Sequence, residues 1–220
     1  MTASSKVRVS AFCISLDGYG AALGQDEKNP FGVGGMVLPA WLFPTKAFQS
    51  MHGDGKTGGS TGVDNDIVEK SMQGVGAWIL GRNMFGPVRG PWEGDAWKGW
   101  WGPNPPYHCK VFVLTHHARP ALEMEGGTTF IFVTDGIESA LKQAREAAGG
   151  KDVRIGGGVS TVRQYLKAGL IEEMRLAFVP VLLGQGESLL EGLNLPKLGF
   201  EVAEHLMGEK AMHLVLKRRG

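Results

Sequence analysis

Apolar residues in this chain fall into two kinds of pattern. Short runs or alternations at Val7 to Ile14, Ala77 to Leu80, Val111 to Leu114, Thr129 to Val133, Asp152 to Ile155 and Met174 to Val181 read as strands. Other stretches repeat at helical spacing. Pro39 to Met51 carries Trp41, Leu42 and Phe48 on one side, and Asp66 to Gly74 reads as a second helix. Ile137, Leu141, Ala144 and Ala148 line one face of a third, which Gly149-Gly150 ends and which Asp135 and Glu138 open as a capping box. Val159, Val162, Leu166 and Leu170 mark a fourth, with Gly169 as its stop signal. Phe200 to Leu206 and Ala211 to Leu216 alternate around Gly208 and predict a closing antiparallel hairpin. Strands alternating with helices predict an α/β fold: a mainly parallel central sheet with helices on both faces and that hairpin at the C-terminal end.

Two stretches break this rhythm. Residues 53–62 (GDGKTGGSTG) are glycine and small polar residues and read as a mobile loop. Gly86 to Tyr107 sets Trp92, Trp97, Trp100 and Trp101 among glycines and prolines. Such a segment is either a lid packed on the body or the wall of a ligand pocket that stacks a flat ring, and both readings stand.

Composition narrows the class. A chain of 220 residues with 43% hydrophobic content can bury one core, so a single domain over 1–220 is expected. A net charge of +1 without a basic block argues against nucleic acid as the main partner. No apolar run approaches the ~20 residues of a membrane span. Met1 to Lys6 leads into a strand without a signal-peptide core, so the expected location is the cytoplasm. Cys13 and Cys109 lie in apolar or aromatic surroundings and read as buried thiols of a reducing compartment. No metal site is expected.

The candidate chemistry sits at three strand ends. The run Val153-Arg154-Ile155 stops at Gly156-Gly157-Gly158, and a helix follows at once. Glycines before a helix N-terminus let a phosphate approach unpaired backbone N–H groups, although a tight turn would also need them. Thr161 stands where a GxGxxG fingerprint needs glycine, and Glu172 and Glu173 precede the next strand instead of ending one, so a Rossmann domain is not indicated. At Ile79-Leu80-Gly81-Arg82 a buried strand ends in glycine and then arginine, which can fork onto a phosphate. At Leu114-Thr115-His116-His117-Ala118-Arg119 a strand ends in a hydroxyl, two histidines and an arginine. Adjacent histidines point apart and make a poor metal pair, whereas the group suits a ribose phosphate.

Taken in order, these three sites resemble the dihydrofolate-reductase-like fold, and most closely the reductase domain of bacterial riboflavin biosynthesis and its uncharacterised relatives. Ser15-Leu16-Asp17-Gly18-Tyr19-Gly20-Ala21 is similar to that family's first-strand motif, and Gly169-Leu170-Ile171-Glu172-Glu173 with Pro180-Val181-Leu182-Leu183-Gly184 to its late helix-to-strand motif. The resemblance runs from Val7 to Leu216. It implies NADPH, with Gly81 and Arg82 at the cofactor phosphates and Thr115, His116 and Arg119 near the 2′-phosphate. It further implies Gly157, Gly158, Val159 and Ser160 on the pyrophosphate, and Ala21 near the nicotinamide.

Three departures leave the substrate open. Gly156 stands where the riboflavin reductases carry glutamate, Trp41 to Phe48 holds no pterin-binding acid, and no zinc deaminase motif is present. Hydride transfer needs a proton source, for which Asp17, Asp54, Asp64, Asp66 and Glu69 are candidates, with Asp17 better suited to ordering its turn. The resemblance therefore implies an NADPH-dependent reductase of a small heteroaromatic or carbonyl compound. The alternatives are a non-catalytic nucleotide-binding or ligand-sensing protein on the same fold, and a flavin- or drug-binding protein that uses the tryptophan segment. Apolar Leu182, Leu183, Leu189, Leu190 and Leu193 with the C-terminal strands predict a homodimer.

Overall fold

The computed structural model describes residues 5–51, 58–87, 89–94 and 96–219. In chain order the elements are β1 (Val7–Ser15), β2 (Tyr19–Ala21), α1 (Lys46–Ser50), α2 (Val63–Met72), β3 (Val75–Gly81), α3 (Arg82–Phe85), β4 (Lys110–Leu114) and β5 (Leu122–Glu123). They continue with β6 (Thr129–Val133), α4 (Ile137–Ala148), β7 (Asp152–Gly157), α5 (Val159–Lys167), β8 (Glu173–Val179), β9 (Glu187–Ser188), β10 (Phe200–Met207) and β11 (Met212–Arg218). The fold is α/β, with a mainly parallel sheet and a C-terminal antiparallel hairpin. Met1–Arg8 with Gly74–Leu170 form one compact unit, and Val9–Gln73 with Ile171–Gly220 form another.

The first unit is built on parallel strands in the order β7-β3-β4-β6, with β5 antiparallel at the edge. The buried face of β3 does not alternate: Ala77, Trp78, Ile79, Leu80 and Gly81 are all buried. An interior parallel strand is covered on both sides, which is why its sequence reads as an unbroken apolar run. Helix α4 lays Ala140, Leu141, Ala144 and Ala148 on β3, β4 and β7, and α5 lays Val159, Val162 and Leu166 on β7 and β3. Tyr165 fixes α5 to the start of α4, its hydroxyl donating to the Ile137 carbonyl at 2.7 Å.

The second unit orders β10-β11-β8 as an antiparallel set, with β1 beside β8, and pairs β2 with β9. Its core gathers Cys13, Leu38, Trp41, Ile67, Val68, Ala177, Val179 and Ala211. One buried polar pair runs through it. Asp64 on α2 is 3% exposed and His213 on β11 is 1% exposed. His213 Nε2–H donates to Asp64 Oδ1 at 2.6 Å, and the Lys210 N–H donates to Asp64 Oδ2 at 2.8 Å. Gly208 has no room for a side chain because Asp64 Oδ1 already occupies the space, so the hairpin turn closes directly on this carboxylate. The edge of Trp41 covers the imidazole at 4.9 Å.

The structure departs from the sequence pattern at four places. Instead of one helix over Pro39 to Met51, the chain makes short 3-10 turns at Gly35–Val37 and Pro39–Trp41, and α1 begins only at Lys46. Pro44 disfavours helix at the residue before it, and the Thr45 hydroxyl then caps the restart by accepting from the Phe48 N–H. Helix α2 begins at Val63, not Asp66. Its early start is held by Glu209 in the distant hairpin, whose carboxylate accepts from the Val63 and Asp64 N–H groups at 3.0 and 2.9 Å. Asp135 does not cap α4: Gly136 is the N-cap, and Asp135 accepts from the Thr134 hydroxyl. Strand β7 runs on to Gly157, two residues into the glycines. Of the expected 53–62 loop, residues 53–57 lie outside the described residues. No helix among the described residues is long and apolar enough to cross a membrane.

The Asp64–His213 pair generates a prediction. Removing the carboxylate leaves the buried His213 Nε2 without its partner and the Lys210 N–H without its acceptor, which costs about 3 kcal/mol. Asp64→Ala should lower the unfolding free energy by about that amount in urea titration. A change below about 1 kcal/mol would show that the pair contributes little to the fold.

Candidate functional site

Nearly all of the sequence-predicted binding residues lie in the first unit, at the C-terminal ends of its parallel strands. Open α/β sheets bind ligands at such ends. Strands β3 and β4 pair so that Gly81 faces Leu114, which sets Arg82 and Thr115 side by side just beyond the sheet. On the other side of β3, Leu80 pairs with Gly157 across a register shift that gives β7 one extra residue. A bulge beside a site re-aims the chain that follows it.

The turn from β7 into α5 is shaped by bare backbone. Gly157 has φ +118°, a conformation that L side chains rarely adopt. Gly158, the N-cap of α5, has φ −75°, and a Cβ built there would meet nothing within 4 Å. No side chain caps α5 and no acidic residue sits in its first turn. The first N–H groups of this helix thus face an open space with the positive end of the helix dipole behind them. Gly81 closes the arrangement from β3: a side chain there would collide with the Thr161 hydroxyl and crowd the Gly158 nitrogen. The β3 end and the α5 N-terminus therefore touch through a glycine.

Gly156 has a different reason to be glycine. A Cβ there would meet Leu80 Cδ2 at 2.5 Å and the Trp78 ring at 3.0 Å. The Trp78 ring is itself wedged in place, with Arg154 over its face at 4.2 Å and Tyr107 edge-on at 4.9 Å. Leu80 and the Trp78 indole together occupy the space that a side chain at position 156 would enter.

The tryptophan segment folds back on this same end of the unit. Trp97 and Trp100 donate their indole N–H groups to the Phe85 and Asn83 carbonyls, at 2.8 and 3.1 Å. These hydrogen bonds tie the tryptophan segment to carbonyls of the one-turn helix α3. Trp92 donates to the His117 carbonyl at 2.8 Å. Its ring lies against Phe85 and Phe132 edge-to-face. The guanidinium carbon of Arg82 sits 2.9 Å from the Trp92 ring centroid, and that of Arg119 sits 4.8 Å away. A cavity of about 240 Å³ opens beside them, lined by Arg82, Gly86, Pro87, Trp92, Glu93 and Trp97 among others. The sequence pointed to Arg82 and Arg119 but not to the ring that holds them. A lone tryptophan inside a glycine-proline segment gives no register from which to infer its contacts.

Thr115 is buried, its hydroxyl accepting from the His117 N–H at 3.2 Å, while His116 is exposed beside it. Val159 is buried at the head of α5 and Ser160 is exposed. The structure thus gathers Gly81, Arg82, Thr115, His116, Arg119, Gly157, Gly158, Val159 and Ser160 at the strand ends of one unit.

Ala21 and the candidate acids Asp17, Asp64 and Asp66 belong to the second unit. Ala21 is buried on β2, and Gly186 leaves room for its carbonyl. Asp17 is exposed and ties two turns together. It accepts from the Ser15 hydroxyl and from the Leu183 and Gly184 N–H groups, the latter at 3.2 and 2.7 Å. The Ser15 hydrogen bond, followed by those backbone bonds, holds its carboxyl below the usual range. Asp64 is engaged by His213 and Lys210 as described, while Asp66 and Glu69 are exposed on α2. Asp54 lies outside the described residues.

Comparison with known proteins identifies the family and the fold. The model of a family described as the RibD C-terminal domain matches residues 6–214. A putative riboflavin biosynthesis protein from Shewanella sp. PV-4 superposes with TM-score 0.60 at 22% identity, covering 99% of both chains. RibD from Acinetobacter baumannii superposes with TM-score 0.54 at 18% identity, and this chain covers 59% of its length. A pyrimidine reductase-like protein from Corynebacterium diphtheriae gives TM-score 0.54 at 13% identity over 98% of this chain and 92% of that one. In sequence, the chain is 36% identical over 59 residues to the uncharacterized protein YyaP of Bacillus subtilis, which is 27% of this chain and 31% of that protein. These likenesses in structure establish the dihydrofolate-reductase-like fold.

Proposed function

The chain belongs to the RibD C-terminal domain family, and on that premise we propose that it is an NADPH-dependent reductase of a small heteroaromatic or carbonyl compound. The family model matches residues in both units, and we propose a single domain over 1–220. The observation that carries the proposal is the uncapped N-terminus of α5, fronted by open space at Gly158 and approached by β3 through Gly81. That cradle fits a dinucleotide pyrophosphate, held by the N–H groups of Gly158, Val159 and Ser160. Arg82, Arg119, Thr115 and His116 offer positive charge and hydrogen bonds to the 2′-phosphate, and we retain Ala21 as the residue near the nicotinamide. When bound, NADPH supplies a hydride to an electron-poor carbon of the substrate and leaves as NADP+, with a proton completing the reduced product.

Asp17, Asp54, Asp64, Asp66 and Glu69 were the candidates for delivering that proton, and Asp54 lies outside the described residues. Asp17 is held ionised by its hydrogen bonds, and Asp64 is shut inside against His213. Asp66 and Glu69 are exposed on α2 without such a clamp, and of the two we assign proton delivery to Asp66. The substrate is unlike that of the riboflavin reductases in one respect. Gly156 offers it no carboxylate, and loss of a charged hydrogen bond costs about 1.5–3 kcal/mol. Ribosylaminopyrimidines are therefore outside the substrates we propose.

NADPH should bind at least about tenfold more tightly than NADH, because the charged hydrogen bonds to a 2′-phosphate are worth that or more. Gly158→Ala keeps an allowed backbone and meets no neighbour, so it should leave thermal stability unchanged while weakening NADPH at least about tenfold by filling the cradle. Fluorescence titration checks both. Equal affinities for the two nucleotides, or a Gly158→Ala variant that binds like the parent, would contradict the proposal. Tight NADPH binding without turnover over a panel of carbonyl and pterin compounds would favour the nucleotide-sensing alternative.

We further propose a cytoplasmic homodimer formed through the C-terminal strands. Strand β10 is the outer strand of its set, and Val202, Met207 and Leu182 are 59%, 72% and 73% exposed. Such an apolar edge favours pairing with a second copy. Light scattering at micromolar concentration should give twice the 23.6 kDa chain mass, and Leu182→Glu should shift it toward the monomer. A parent at single-chain mass would remove the dimer.

A further inference from the structure

Arg82 and Arg119 leave the sheet from neighbouring parallel strands, and each reaches the ring of Trp92. Two guanidinium groups so close repel one another. Burial, and to a lesser degree the charge of Arg119, lower the Arg82 pKa to about 10. Something must hold the pair together against that repulsion. The indole is placed to do so. Its N–H is anchored to the His117 carbonyl at 2.8 Å, and its ring is packed edge-to-face with Phe85 at 5.8 Å and Phe132 at 5.0 Å. It is a fixed negative face, and a face of that kind attracts guanidinium groups. Arg119 also lies 5.3 Å from Phe132 and 5.7 Å from Phe85, so the aromatic cluster cradles it from more than one side.

We propose that Trp92 is the positioning residue for this arginine pair, setting the spacing of the two guanidinium groups so that together they take a phosphomonoester dianion, and thereby making the site selective for a 2′-phosphorylated dinucleotide. A dianion between the two forks relieves their mutual repulsion and accepts from both, which a free 2′-hydroxyl cannot do. The cavity lined by Arg82, Trp92, Glu93 and Trp97 opens on the Arg82 side of the pair. The proposal rests on the NADPH reading above and adds to it a residue outside every motif that suggested that reading.

The test is the ratio of NADH to NADPH dissociation constants, measured for the parent, Trp92→Leu and Trp92→Phe, with thermal melting of each. Trp92→Leu should lower the ratio about tenfold, through weaker NADPH binding with NADH binding nearly unchanged. Trp92→Phe keeps a ring with a weaker face and should fall between the two. A purely structural tryptophan would weaken both nucleotides alike. The proposal is overturned if folded Trp92→Leu keeps the parental ratio or, should that variant not fold, if Trp92→Phe does. A parent that binds NADH and NADPH equally would instead overturn the NADPH reading, and this proposal with it. A parental preference that neither variant moves would overturn this proposal alone.

Discussion

The close approach of two backbones at Gly81 is the constraint on which the binding end of the first unit depends. Strand β3 can end against the head of α5 only because no side chain stands between it and Thr161 or Gly158. From that contact the rest follows. The bulge in β7 carries Gly157 into a conformation that needs glycine, and Gly158 then opens the helix with nothing before it. Arg82, the next residue after Gly81, is set beside the α5 N-terminus by the same turn. A helix dipole and backbone N–H groups face open space at one place, a combination that attracts anions.

The second unit is organised by polar contacts of long sequence separation. Glu209 starts α2, Lys210 and His213 hold Asp64, and Asp17 ties the turn after β1 to residues 183 and 184. Carboxylates that look like candidate acids in a sequence are here used to fasten the hairpin and the loops. Glu209 is itself held below the usual range, chiefly by the Asp64 N–H it accepts. A folded pKa lowered in this way means that its contribution is full above the ordinary carboxylate range and fades as pH falls through the lowered value.

Most of the fold was legible because period and punctuation are local. The strand at Thr129–Val133 and the stop of α4 at Gly149 follow directly from β-branched and aromatic residues and from a glycine that adopts a left-handed turn. What was hidden is non-local. Nothing near Val63 signals that a glutamate from the far end of the chain caps α2. Nothing near Gly156 reveals that Trp78 on a neighbouring strand fills its space. The glycines and Arg82 could be found from their place between strand and helix. The role of Asp64 could not, because its partner His213 lies 149 residues away. Trp92 was visible as an oddity of composition, and only its contacts give it a task.

The central claim is that the strand ends of the first unit form the nucleotide-binding surface of this family member. Amide NMR during titration with NADPH tests it most directly. The account predicts that the largest shifts fall on Gly157 to Thr161, on Gly81 and Arg82, and on the backbone of Thr115 to Arg119. Saturable binding that leaves the amides of Gly158, Val159 and Ser160 unmoved would contradict it.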